Sequence, residues 1–307
     1  MRGGATFAIE SSAAPRPCPL PVNGERGNAV IQVPAMIHRI LLVALALLVA
    51  GPVRAAAPLT SVPYALLIDF NTGATLFAKN ADAQMSPAST TKILTAEIVF
   101  RAIAEGRLHL DDVAPISARA ASEGDAVSGG SSMLAQANSE VRVDDLLHGL
   151  VIESGNDAAI ALAEKLAGSE EAFAVLMNQR ARELGMIHSH FANAWGQGSP
   201  RQSVTARDMA RLASYVIATY PQFYPYFGQT EFTWNGVRQL NRNPLLAMDI
   251  GADGMKTGHI AQSGFGLVGS AVQNGRRLIL VLNGARSEDE RAREARQLLE
   301  WGFAAGR

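Results

Sequence analysis

Residues 87–106 read PASTTKILTAEIVFRAIAEG, and from Ile93 to Ile103 apolar side chains fall on nearly every side of a helical turn. A helix that is apolar almost all round has to be buried, so this segment, ending at Gly106, belongs at the centre of the molecule. Pro87 places its start near Ser89. Residues three apart share a helix face, which brings Ser89 and Lys92 together. The helix N-terminus would aim backbone N–H groups and positive dipole at Ser89, which suits an oxyanion formed there. A lysine in such burial is disfavoured in its charged form and can take the serine proton as a general base. The plain alternative is a serine helix cap beside a surface lysine.

Outward from this helix, Tyr64 to Phe70 is a run of strand length, followed by Asn71-Thr72-Gly73 and a second run, Ala74 to Ala78, which together signal a hairpin. Towards the other end, Gly264 to Val272 and Arg277 to Leu282 flank Gln273-Asn274-Gly275-Arg276, whose Asn-Gly pair favours a tight turn. Between them the periodicity predicts helices over Val143 to Glu153, Ala158 to Leu166, Glu170 to Leu184 and Ala206 to Thr219. Strands at both ends around a helical block suggest one sheet built from both chain ends with an all-helical lobe inserted, an α+β architecture. The expected division is a sheet lobe over 58–100 and 230–307 and a helical lobe over about 101–229. The last helix, from about Glu288 to Phe303, would cover a sheet face. The alternative is an amphipathic membrane foot, disfavoured because its charges cluster at its start.

Two further motifs follow Ser89-Thr90-Thr91-Lys92 in order: Ser154-Gly155-Asn156 and Lys256-Thr257-Gly258. The first lies between two helical segments, where glycine permits a sharp turn that points both side chains inward. Lys256 supplies a second cation that would further depress Lys92, and with Thr257 it offers a charge and a hydroxyl to a carboxylate. Gly258 leaves room for an extended peptide along a strand edge. Each motif alone is an ordinary occurrence; the ordered trio is not.

The stretches STTKILTA (Ser89 to Ala96), ESGNDAA (Glu153 to Ala159) and DGMKTGH (Asp253 to His259), with Phe191-x-Asn193-x-x-Gly196, resemble the penicillin-recognising serine enzymes. Within them the match is to the low-molecular-weight penicillin-binding proteins of peptidase family S11, the D-alanyl-D-alanine carboxypeptidases, from about Pro63 to about Phe303. The resemblance implies a β-lactamase/transpeptidase-like fold, a mainly antiparallel sheet flanked by helices. It implies an acyl-enzyme on Ser89 formed from peptidoglycan stem pentapeptides, and sensitivity to β-lactams. Lys92, Ser154 and Asn156 would complete the catalytic set, Ser154 relaying a proton to the leaving amine and Asn156 orienting the substrate carbonyl and Lys92. Lys256, Thr257, Gly258 and His259 would bind substrate, the last through its backbone N–H, which with that of Ser89 forms the oxyanion hole. No metal or organic cofactor is implied. A D,D-endopeptidase acting on cross-links uses the same set and stays open. A β-lactamase of the class A pattern would need a glutamate that Phe191 to Gly196 lacks, and a non-catalytic binding protein has no need of Ser89, Lys92 and Lys256 together.

His148, His188, His190 and His259 leave a Ser-His-Asp triad possible in principle, but none stands in a nucleophile elbow, and no carboxylate or cysteine set completes His188-x-His190 as a metal pair. The aromatic cluster Tyr220, Phe223, Tyr224, Tyr226 and Phe227 reads as packing. The chain has 307 residues, 48% of them hydrophobic, and a formal charge of −1, which gives a sizeable core and no electrostatic footprint for nucleic acid. Residues 36–57 have a signal-peptide layout: Met36-Ile37-His38-Arg39, an apolar run from Ile40 to Ala50, then Gly51-Pro52 and small residues, with cleavage expected after Ala55 or Ala57. The run is short for a bilayer span of about 20 residues, so a retained anchor is the weaker reading and no stable span is expected after cleavage. Residues 1–35 read as an unstructured extension or a start codon placed too far upstream. The chain's one cysteine, Cys18, lies there, so an exported, periplasmic or wall-associated product would fold without disulfides. No C-terminal β domain is expected.

Overall fold

Two stretches far apart in the chain, 64–79 and 252–285, pair into one five-stranded antiparallel sheet. The computed structural model describes residues 56–123 and 130–305; the expected extension, Cys18 and nearly all of the expected signal segment lie outside the described residues. In chain order the elements are β1 (Tyr64–Asp69), β2 (Thr75–Lys79), a 3-10 turn (Ala88–Thr91), α1 (Lys92–Ala104), β3 (Val113–Pro115), α2 (Ala118–Glu123) and β4 (Glu140–Arg142). There follow α3 (Val143–His148), a π turn (Gly149–Glu153), α4 (Asn156–Ala167), α5 (Glu170–Glu183), α6 (Ala206–Thr219), and strands β5 (Glu231–Trp234) and β6 (Val237–Leu240). The chain then returns to the sheet with β7 (Ala252–Ile260), β8 (Gly264–Gln273) and β9 (Arg276–Ala285), and α7 (Glu288–Ala304) comes last. Two short 3-10 segments, Tyr224–Gly228 and Pro244–Ala247, complete the path.

The sheet order is β2-β1-β9-β8-β7, which leaves β7 at an edge. Side chains alternate along each strand, so one sheet divides two cores. Leu66, Met255, Val268, Ile279 and Val281 face the helical block. Ala65, Leu67, Leu267, Leu278, Leu280 and Leu282 face α7, whose Ala295, Leu298, Leu299 and Phe303 close the second core. That burial consumes the apolar face of α7, as expected for packing on the sheet and against the membrane-foot alternative. The β8–β9 turn has Asn274 and Gly275 at φ 51° and 76°, the backbone that an Asn-Gly hairpin requires.

Helix α1 is buried from Lys92 to Phe100 and packs against α4, α5, α6 and β7. The aromatic cluster packs on its C-terminal half, with Phe223 stacked on Phe100 at 5.0 Å. Ser169, Thr205 and Ser287 each accept a backbone N–H at the start of α5, α6 and α7. The block read as helical also holds a two-stranded ribbon, β3 with β4, and the single helix expected over Val143 to Glu153 changes to a π turn at Gly149.

A charged pair crosses the helical core. Glu97 is fully buried, and Arg180 of α5 grips both its carboxylate oxygens at 2.6–3.1 Å while Tyr220 donates to it at 3.3 Å. Removing one partner leaves an uncompensated buried charge, so Arg180→Met is expected to cost about 3–5 kcal/mol in urea unfolding, and Glu97→Leu with Arg180→Met to recover most of it. A single variant within 1 kcal/mol of the parent, on the order of a surface pair, would contradict this assignment.

Candidate active site

The 3-10 turn is what brings Ser89 over Lys92. Side chains at i and i+3 eclipse in a 3-10 turn, more closely than in the α-helix expected from the sequence, which begins only at Lys92. Lys92 has no solvent exposure. Its Nζ lies 3.1 Å from Ser89 Oγ, 2.8 Å from Asn156 Oδ1 and 2.9 Å from the carbonyl oxygen of Trp195. No carboxylate among the described residues forms an ion pair with it.

These three partners dictate what the amine can do. A neutral amine carries two N–H bonds and one lone pair. The Asn156 and Trp195 oxygens can only accept, so they take both N–H bonds, and the lone pair is left for the Ser89 hydroxyl proton. Burial, then the charge of Lys256, then that of Arg242 hold Lys92 well below its ordinary value of 10.5, which favours that neutral state.

The second motif turns at Ser154, not at the glycine. Ser154 ends the π turn with φ 69° and ψ 28°, whereas Gly155 has φ −51°. Asn156 then opens α4. Its backbone N–H donates to the Ser131 carbonyl at 2.7 Å and its Nδ2 to the Glu123 carbonyl at 3.3 Å, which directs Oδ1 to Lys92. Asp157, fully buried, accepts from the backbone N–H groups of Met133 and Ala135 and from the Ser132 hydroxyl, pinning the neighbouring loop.

Edge strand β7 brings the third motif alongside the nucleophile turn. A Cβ on Gly258 would stand 2.9 Å from the Pro87 carbonyl oxygen and 3.1 Å from the amides of Ser89 and Thr90. Glycine is therefore needed first for strand β7 to touch the turn, and the reason inferred from sequence, room for a ligand, is secondary. His259 is exposed, its ring stacked on Phe265 at 3.9 Å. Ser89, Ser154, Thr257, Gly258 and His259 line one pocket of about 170 Å³ with Arg242 and Arg291. An adjoining pocket of about 310 Å³ shares Ser89 and His259 and adds Asn156, Trp195 and Ile260.

Of the residues singled out in the sequence, Ser89, Ser154, Asn156, Thr257, Gly258 and His259 line these pockets, Lys92 lies behind them against Ser89 and Asn156, and Lys256 is buried with its Nζ 3.2 Å from the Thr257 carbonyl. Several others were not singled out. Arg242 donates to Ser131 Oγ at 2.7 Å and pairs with Glu153. Arg291, at the start of α7, is 4% exposed, has a buried Nε without a partner in the structure and lies 5.7 Å from the Phe265 ring centroid. Asn193 Oδ1 collects the N–H groups of Trp195, Gly196 and Gln197. Gly196 has φ 97°, and a Cβ there would fall 1.9 Å from the Ala88 carbonyl oxygen, so the loop rests directly on the nucleophile turn. The Phe191-x-Asn193-x-x-Gly196 pattern was the only sign of this brace in the sequence.

Lys256 is 2% exposed and pushed down to about 7 by burial, Arg242 and Arg291. Between about pH 7 and 10.5 the unfolded chain holds a proton there that the folded protein has released, so stability rises with pH across that window; below about 7 both states hold it and the slope vanishes. Compared with Lys256→Met, the parent should gain up to about 1.4 kcal/mol per pH unit in unfolding free energy over pH 7.5–9. Parallel pH profiles would mean that Lys256 is not depressed.

The family pattern of D-alanyl-D-alanine carboxypeptidases matches residues 52–287. The chain is 42% identical over 240 residues to the Escherichia coli D-alanyl-D-alanine carboxypeptidase DacC, covering 78% of this chain and 60% of that one. It spans about 60% of the length of the curated relatives it matches first. The crystal structure of the carboxypeptidase DacD from Francisella tularensis superposes with a TM-score of 0.79 at 35% identity, over 82% of this chain and 72% of that one. Penicillin-binding protein D2 from Listeria monocytogenes, solved in its ampicillin-bound form, superposes with a TM-score of 0.69 at 27% identity, over 80% and 98%.

Proposed function

The chain belongs to peptidase family S11, the D-alanyl-D-alanine carboxypeptidases, and from that premise we propose that it removes the terminal D-alanine from peptidoglycan stem pentapeptides through an acyl-enzyme on Ser89. The observation that carries this reading is the buried Lys92 amine, whose two acceptor partners leave its lone pair for Ser89.

The cleft is electrically polar. Lys256, Arg242 and Arg291 gather at the Thr257 end, next to the hydroxyls of Ser154 and Thr257. A peptide's terminal carboxylate fits there, beside the guanidinium groups of Arg242 and Arg291 that line the pocket. With its C-terminus so held, an extended peptide runs along edge strand β7 towards Ile260, pairing with free backbone groups of that edge. The scissile carbonyl then sits over Ser89. Lys92 takes the hydroxyl proton as Oγ attacks, and the oxyanion is received by the backbone N–H groups of Ser89 and His259. Ser154 passes a proton to the departing amine, D-alanine leaves with its carboxylate, and water hydrolyses the ester. The Asn156 amide keeps the amine aimed throughout. A β-lactam presents a carboxylate and a strained amide in the same arrangement, and the ampicillin-bound relative supports acylation of Ser89 by such compounds. The signal-like segment 36–57 supports export to the cell-wall compartment; among the described residues no helix is long and apolar enough to cross a membrane.

Ser89→Ala should abolish both covalent labelling by a fluorescent penicillin and release of D-alanine from a stem pentapeptide; surviving hydrolysis would remove Ser89 as nucleophile. With a cross-linked stem dimer in parallel, cleavage of the dimer but not the pentapeptide would replace this reading by the endopeptidase. Loss of one charge-assisted bond of about 1.5–3 kcal/mol predicts that Arg291→Ala raises KM for the pentapeptide roughly 10- to 100-fold. A C-terminally amidated peptide should be as poor for the parent enzyme as the acid is for the variant; equal KM values for acid and amide in the parent would contradict the carboxylate assignment.

A further inference from the structure

Helix α5 begins with a carboxylate that neither the chemistry above nor the core requires. Glu170 is 3% exposed, and its two oxygens bind different walls of the cleft. Oε1 accepts the backbone N–H of Ala194 at 3.0 Å. Oε2 pairs with Arg119 of α2, the helix whose last residue, Glu123, lines the acyl-side pocket and lends its carbonyl to Asn156 Nδ2. Ala194 is the residue before Trp195, whose carbonyl is one of the two acceptors that orient the Lys92 amine.

Other bonds also support the loop around that carbonyl. The Ala194 carbonyl receives the Thr95 hydroxyl at 2.6 Å, from one turn beyond Lys92 on α1. Asn193 Oδ1 holds the amides of Trp195, Gly196 and Gln197, that of Gly196 belonging to the same peptide unit as the Trp195 carbonyl, so the placement of Asn193 itself decides that carbonyl's direction. Gln202 holds the amides of Ala192 and Asn193 and ties them to Thr91 at 3.2 Å. Helix α5 thus grips the loop twice, at Phe191 through Asn178 and at the peptide between Asn193 and Ala194 through Glu170, the latter two residues from Gly196, which rests on the Ser89 turn. Carboxylates at a helix start are usually solvated; this one is inside and bonds through one oxygen to a loop 24 residues away.

Resting on the Ser89–Lys92 reading, we infer that Glu170 is a positioning residue for the acylation step: through Ala194 it fixes the Trp195 carbonyl, and so the direction of the Lys92 lone pair, while its bond to Arg119 ties the opposite wall to the same group. A base misdirected by about 1 Å can lose on the order of 100-fold in rate, whereas the carboxylate-binding end of the cleft, on β7 and α7, does not touch Glu170. The defect therefore belongs to the chemical step and not to recognition.

The experiment is stopped-flow acylation by a chromogenic cephalosporin, resolving initial binding from the acylation rate, with melting temperatures alongside. Glu170→Ala should lower the acylation rate at least 10-fold with initial binding within twofold of the parent. Glu170→Gln, whose amide oxygen can still accept from Ala194, should restore most of that rate. Arg119→Ala, which leaves the Ala194 bond in place, should stay within about threefold. A Glu170→Ala protein that melts earlier but acylates at the parental rate overturns the inference, as does a Glu170→Gln variant as slow as Glu170→Ala. Either result leaves the Ser89 assignment untouched if Ser89→Ala has lost labelling, whereas labelling of Ser89→Ala would remove the premise itself.

Discussion

Two almost completely buried lysines, Lys92 lowered in proton affinity by burial and by the charge of Lys256, and Lys256 by burial and its neighbouring arginines, are the constraint around which this molecule is built. Neither amine has a carboxylate ion-pair partner among the described residues, so their burial costs stability that the two cores must supply. The arrangement is affordable because the lysines differ in surroundings. Lys92 is enclosed by acceptors that neutral nitrogen can satisfy, while Lys256 stands among arginines at the end where a bound carboxylate would compensate it. One amine is thus prepared to be a base, and the other awaits a charge.

The topology explains why such a site can exist on a chain whose three motifs are separated by more than 60 residues at each step. The sheet takes its edge strand β7 from the C-terminal half, and α1 starts directly after the N-terminal hairpin has joined the same sheet. The hairpin lies at the opposite edge of the sheet from β7, so the connection after β2, held to β9 by the Asn283 bond to the Ser86 carbonyl, carries the Ser89 turn back to Gly258. The Ser154–Asn156 turn comes from the helical block packed against α1. The cleft is the seam between block and sheet, and a peptide adding to β7 would lie along that seam.

Much of this was legible because the informative patterns are local. The all-round apolar run of α1, the strand-length runs of β1, β8 and β9 and the Asn274-Gly275 turn each express a rule that acts within a few residues. The triad of motifs was legible as chemistry because hydroxyl, amine and amide have few other uses in that combination. What stayed hidden was long-range. Nothing near Glu97 announces Arg180, and nothing near Glu170 announces Ala194. Arg242 and Arg291 look like surface arginines until the fold carries them to the cleft. At Gly258 the sequence shows a missing side chain without showing the Pro87–Thr90 turn that packs against it.

The positions of backbone strain complete the logic of the site. Ala88 and Ser154 both have positive φ, 47° and 69°, although neither is glycine, and each adjoins or belongs to a catalytic motif. A left-handed non-glycine residue costs on the order of 1 kcal/mol or more and persists only where its surroundings over-determine it. At Ala88 the surroundings are Gly196 and Gly258, two segments that approach so closely that neither tolerates a Cβ. At Ser154 they are the π turn before it and the Asp157 and Ser131 bonds after it. The strained residues are the ones that lift Ser89 and Ser154 out of regular structure towards the cleft. The glycines and the buried polar braces therefore belong energetically to the proposed site, because they hold the two hydroxyls in conformations that the local sequence would not adopt by itself.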